Sequence, residues 1–156
     1  MACESCGWRR TDFIPAESKG SIGNRISIGP ETLNARVIRG SNGTIRIPEL
    51  GLEVEPGTAS SGYISNLEGV LTRFRDTIQM LDRSFDESTD PPEEKERIDF
   101  LLNSLESSLS GEETSFTLVI LDPMGHSGIL HPETEEWSLS DNEIEQLAVG
   151  PEIPIM

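Results

Sequence analysis

The chain has 156 residues, 35% of them hydrophobic and 5% aromatic, which suits one domain with a modest aliphatic core. Twelve Arg or Lys against 28 Asp or Glu leave a net charge of −16; phosphates would be repelled, so a nucleic-acid adaptor ranks last among the readings and no nucleic-acid partner is expected. No stretch approaches the roughly 20 apolar residues that span a bilayer, and no charged-then-apolar leader opens the chain, so a cytoplasmic protein without a membrane partner is expected.

The two cysteines, Cys3 and Cys6, form a C-x-x-C pair, which is either half a zinc site or a redox pair. A thioredoxin-like pair sits between a strand and a helix. This one lies near the start and is followed by Gly7, which fits a short metal-holding knuckle better. Residues 1–10 are therefore read as a cysteine stub, residues 11–148 as the body and residues 149–156 as a tail.

Short strands open the body. Arg25 to Ile28 and Ala35 to Arg39 are candidates. The clearest unit runs from Thr44 to Glu55: alternation puts Ile45, Ile47, Leu52 and Val54 on one face, and Pro48-Glu-Leu-Gly51 supplies the turn. Closing that turn sets Ile47 opposite Leu52, Ile45 opposite Val54 and Arg46 opposite Glu53. The period then changes. Ile64, Leu67, Leu71, Phe74, Ile78, Leu81 and Phe85 recur at three- and four-residue steps, one stripe along a helix, with Ser65 and Glu68 as a capping box. A second helix starts at Asp90-Pro91-Pro92-Glu93, carries Ile98, Leu101, Leu102, Leu105 and Leu109, and stops at Gly111. Together the two make a helical hairpin over about residues 64–110.

Strand chemistry resumes at Ser115 to Leu121. The run Leu118 to Leu121 is apolar at every position, so both of its faces should be buried. Asp122-Pro-Met-Gly125 reads as a turn, Gly128 to His131 as a returning strand, and Glu143 to Val149 as a short helix. The expected fold is mainly β with an α insertion.

Charge is distributed unevenly. Residues 1–50 hold seven Arg or Lys against five Asp or Glu, and residues 51–156 hold five against 23. Arg36, Arg39 and Arg46 belong to the first segment, where a basic patch would dock an acidic partner; the plainer alternative is a solvated surface of uneven charge. Glu49 and Leu50, in the Pro48–Gly51 turn, are further candidates for partner contact at a sheet corner. His126 and His131 have an H-x4-H spacing that zinc sites use and that invites a Cys3/Cys6/His126/His131 site, but the plainer and preferred reading is two loop histidines without a metal role. Neither begins an H-x-D or H-x-E triplet, and neither a G-x-S-x-G elbow nor a phosphate loop occurs, so no catalytic residues are assigned.

Several segments together resemble the ZPR-one-type zinc-finger domain family. They are Cys3 to Asp12, Leu33 to Arg39, Thr44 to Gly57, Gly62 to Leu71 and Phe116 to Gly125, and the most specific is Ile47-Pro-Glu-Leu-Gly-Leu-Glu-Val-Glu-Pro-Gly57. The resemblance covers about residues 3–147. It implies a four-cysteine zinc finger followed by a double-stranded β-helix domain with an inserted helical hairpin, in the single-copy arrangement of archaeal relatives. It also implies a non-enzymatic protein-binding role, with translation elongation factor one-alpha as partner and its folding or assembly as the task. Cys3 and Cys6 align with the second cysteine pair of the family finger. The first pair would precede Met1, so the implied zinc site is incomplete in this chain. A start assigned too late, loss of the metal, and two chains sharing one zinc are the alternatives. The family turn D-P-x-G-N-S reads Asp122-Pro-Met-Gly-His-Ser127 here, with His126 at the Asn position, and the resemblance places no ligands at His126 or His131. The rival functional reading is a cupin-like small-molecule-binding or enzymatic barrel, which requires a polar pocket inside the sheets.

Overall fold

A computed structural model describes residues 20–56 and 62–147. The cysteine stub and the tail lie outside the described residues. Eight strands and three helices follow in chain order: β1 (Ile22–Ser27), β2 (Arg36–Arg39), β3 (Thr44–Ile47), β4 (Leu52–Val54), β5 (Tyr63–Asn66), α1 (Leu67–Arg83), α2 (Pro92–Leu109), β6 (Thr117–Asp122), β7 (Gly128–Leu130), β8 (Glu135–Ser138) and α3 (Asp141–Glu145). The strands form two antiparallel sheets, one of order β4-β3-β6-β1-β8 and one of order β5-β2-β7.

The β3–β4 hairpin has the expected register: Ile45 faces Val54, Arg46 faces Glu53 and Ile47 faces Leu52. Arg46 Nε donates to Glu53 Oε1 at 2.9 Å. The turn between them is a single 3-10 turn, Pro48–Leu50, ended by Gly51 at φ 66, where a side chain would be strained. Burial does not follow the alternation to the end of the hairpin. Ile45 and Ile47 are core residues, whereas Val54 is 41% exposed because β4 is the edge of its sheet.

β6 is buried on both sides, as its apolar run requires. Leu118 and Ile120 join the main core between the sheets and helices, and Val119 and Leu121 face a second cluster with Leu139 and Leu147. Trp137 packs against that second cluster from β8. It lies over Gly23, where an added Cβ would fall 2.6 Å from two indole carbons, so this close approach needs glycine.

The helical hairpin is present with shifted boundaries. Ile64 lies in β5 and not on the helix stripe. The cap of α1 is Asn66, whose side chain accepts from Gly69 N at 2.8 Å, and not the expected Ser65–Glu68 box. The cap displaces the helix start to Leu67, because Tyr63-Ile-Ser-Asn66 pairs along β2 first. Asp90 does not cap α2 either; its carboxylate accepts from Asp86 N and closes the interhelical loop. Gly111 ends α2 as expected, with Gly111 N donating to Ser108 O and Glu112 N to Ser107 O, a Schellman pair. Leu67, Val70, Leu71, Phe74 and Ile78 of α1 meet Ile98, Leu101 and Leu105 of α2 in the main core. Lys95 of α2 pairs with Asp82 of α1 beside the interhelical loop, and with Asp99 one turn along its own helix.

β8 was not legible: Glu135-Glu-Trp-Ser138 is mostly exposed and pairs with β1 alone. α3 lies earlier than the expected Glu143–Val149, because Ser140 and Glu143 form a capping box at its start.

Candidate functional site

The five residues expected at a docking face separate into different environments. Arg39 points inward from β2 and is 8% exposed. Its Nε donates to Gly43 O at 2.9 Å, and its guanidinium lies 5.9 Å from the centre of the Tyr63 ring. Arg46 pairs with Glu53 across the hairpin. Leu50 is 2% exposed and belongs to the main core, while its carbonyl accepts from Arg97 Nη2 at 2.6 Å. The expectation that Arg39 and Leu50 project toward a partner is therefore corrected: strand alternation turns Arg39 inward with Val37, and the 3-10 turn folds Leu50 under the sheet.

Glu49 is exposed, but its carboxylate has internal partners. It accepts from Thr117 N at 2.9 Å and from Thr117 Oγ1 at 3.0 and 3.2 Å, fastening the hairpin turn to the start of β6.

Arg36 differs from the other four. It is exposed on β2, the central strand of the three-stranded sheet, and its side chain has no hydrogen-bond or ion-pair partner among the described residues. Register places Arg36 between Leu130 on β7 and Asn66 on β5, and Ile38 between Gly128 and Ile64. Directly opposed residues share a face. Ile64 is 64% exposed and Leu130 58% exposed, so aliphatic side chains and the Arg36 guanidinium share this outer face. A cleft of about 250 Å3 at its edge is lined by Asn34, Arg36, Ile64, Ser65 and Asn66. Ile64 and Leu130 were missed as surface residues. The available signal was Asn66, a good N-cap that hands the preceding Tyr63-Ile-Ser to a strand.

The Asp122–Ser127 turn is an internal polar corner. Asp122 is fully buried, and its Oδ1 accepts from Met124 N at 2.8 Å and Gly125 N at 3.2 Å. Its Oδ2 accepts from His126 N at 3.2 Å and from Ser127 Oγ at 2.5 Å. Ser127 Oγ in turn accepts from Gly40 N at 2.8 Å, joining this turn to the end of β2. Four donors for one carboxylate make it a structural anchor.

Cys3 and Cys6 lie outside the described residues. Among the described residues no group of three or more His, Cys, Asp or Glu side chains converges to hold a metal ion, and His131 Nδ1 accepts from Glu133 N at 3.1 Å. Among the described residues, Ile26, Val37, Ile45, Ile47, Leu118 and Ile120 belong to one buried apolar cluster, a lining unlike the polar pocket that a cupin-like barrel requires. No helix among the described residues is long and apolar enough to cross a membrane.

The profile of the ZPR1 jelly-roll domain matches residues 31–147. An uncharacterized ZPR1-like protein of Methanocaldococcus jannaschii is 38% identical over 151 residues, covering 96% of this chain and 74% of that protein. Another, of Pyrococcus horikoshii, is 36% identical over 156 residues, covering 99% and 69%. The zinc finger chaperone zpr1 of Schizosaccharomyces pombe is 29% identical over 130 residues, covering 80% of this chain and 28% of that protein.

Proposed function

The chain belongs to the ZPR1 jelly-roll domain family, and on that premise we propose that it is a cytoplasmic protein-binding module that docks translation elongation factor one-alpha and assists its folding or assembly. The observation that carries the reading is the outer face of the three-stranded sheet, where Ile64 and Leu130 stand in solvent beside Arg36, whose side chain has no partner among the described residues. Aliphatic side chains on all three strands of one sheet face, with half-buried Ile38 on the strand between exposed Ile64 and Leu130, favour protein contact there. The chaperone name of the fission-yeast relative agrees with such a role. The work is done by surface complementarity, and no bond is made or broken.

Zinc enters this reading through Cys3 and Cys6, which would supply two thiolate ligands of a structural site. Nothing in the docking role is routed through the metal.

Refolding tests the proposal. Elongation factor one-alpha diluted from denaturant should regain nucleotide binding in higher yield with this chain than with an equal mass of serum albumin. Equal yields in both would remove the folding role.

A further inference from the structure

We infer that the outer face of the β5-β2-β7 sheet is a docking surface for an extended partner segment that presents an aliphatic side chain and a carboxylate two residues apart. The inference deepens the protein-binding reading and rests on it for the class of partner.

Three observations place the surface. The first is its composition. Outward positions of a half-exposed antiparallel sheet are ordinarily polar. Here Ile38, Ile64 and Leu130 occupy three of the outward positions on three adjacent strands. The second is the cation. Elsewhere, Arg25 pairs with Glu135, Arg46 with Glu53, Arg75 with Glu106 and Lys95 with Asp82. In a chain with more than twice as many acids as bases, Arg36 has no carboxylate partner among the described residues. The third is spacing. Arg36 and Ile38 follow each other at i and i+2 on one face of β2, roughly 7 Å apart along the strand. A partner strand laid over this face repeats the same two-residue interval. Its carboxylate meets the Arg36 guanidinium beside Asn34 and Asn66 in the cleft, and its aliphatic side chain covers Ile38 and Ile64.

Charge selects this occupant. The acidic surface elsewhere repels a carboxylate-bearing segment. At physiological salt that repulsion is screened beyond about 8 Å, so the local cation decides where the segment docks. A guanidinium gains most from a planar carboxylate that accepts two parallel N–H bonds.

The test uses the full chain, labelled with nitrogen-15, and two synthetic peptides that differ in one residue type. One carries Leu and Glu two residues apart, with Ser between them; the other carries Leu and Gln. The Glu peptide should shift the amide signals of Arg36, Ile38, Ile64 and Leu130 saturably, and should bind about tenfold more tightly than the Gln peptide, as one charge-assisted hydrogen bond implies. Arg36→Glu should abolish that preference, and Ile64→Ser should weaken both peptides while the melting temperature stays unchanged. Equal binding of the two peptides, shifts confined to other strands, or no binding at all would overturn the surface. A parallel titration with purified elongation factor one-alpha separates the two claims. If the Glu peptide docks here and the factor does not bind, the surface stands and the choice of that partner falls. If the factor binds the native chain and both variants equally, the partner stands and the surface falls.

Discussion

Glu49 offers the sharpest internal check on the fold, because a turn residue that looks free for a partner is holding two segments together. Replacing it in Glu49→Ala removes the acceptor for Thr117 N at 2.9 Å and for Thr117 Oγ1 at 3.0 and 3.2 Å. Hydrogen bonds to a charged group contribute about 1.5–3 kcal/mol when shielded. Glu49 is exposed, and water can replace part of that interaction, so the expected loss is about 1–2 kcal/mol in all. For a domain of this size each kcal/mol lowers the melting temperature by about 2–4 °C, giving a drop of roughly 2–8 °C. Thermal unfolding followed by circular dichroism measures it. Glu49→Gln should lose less, since its amide oxygen still accepts. Thr117→Val keeps the shape and the backbone donor while removing the hydroxyl, and the cycle with Glu49→Ala should give a coupling of about 0.5 kcal/mol or more. An unchanged melting temperature in Glu49→Ala, or a coupling of zero, would refute the assignment of this carboxylate to the β6 junction.

Other substitutions test other layers of the account. Gly23→Ala puts a methyl group 2.6 Å from the Trp137 ring, and the overpacking should cost about 1–3 kcal/mol, with a changed tryptophan emission spectrum. Emission and stability both like those of the native chain would contradict that contact. Asp122→Ala removes the acceptor of four donors in the buried turn and should cost about 3 kcal/mol or more in a urea titration; a loss below about 1 kcal/mol would sink the anchor role. Glu143 is held below its ordinary value of 4.5, chiefly by the backbone N–H of Ser140, with the Trp137 and Ser140 side chains adding to it. Its folded value is depressed, so its contribution to stability is present above the ordinary value and is lost as pH falls through the lowered one. A carboxyl carbon-13 titration should therefore place Glu143 below 4.5, and a midpoint above 4.5 would contradict the capping box.

Local patterning fixed some elements because one physical cause dominated each. The Thr44–Val54 hairpin combined alternation, a Pro/Gly turn and an Arg46–Glu53 pair, and its register followed. The uninterrupted Leu118–Leu121 run announced a strand buried on both faces. Elements were missed where causes competed. Ile64 fits a three-four helical stripe as well as a strand, and the decision came from its pairing with Ile38, a contact distant in sequence. β8 has almost no apolar signature, since its one large hydrophobic group, Trp137, is accommodated by a glycine on β1. The same logic governs the candidate site. Arginine content alone suggested a basic patch, but strand parity sent Arg39 inward, Glu53 took Arg46, and Arg36 was left facing solvent.

The most direct test of the central claim is a calorimetric titration of purified elongation factor one-alpha into the native chain and into Arg36→Glu. A protein-binding module predicts a saturable complex with a dissociation constant of about 10 μM or tighter, with a marked loss of affinity in the variant. No heat of binding up to roughly millimolar concentration in either protein would contradict it.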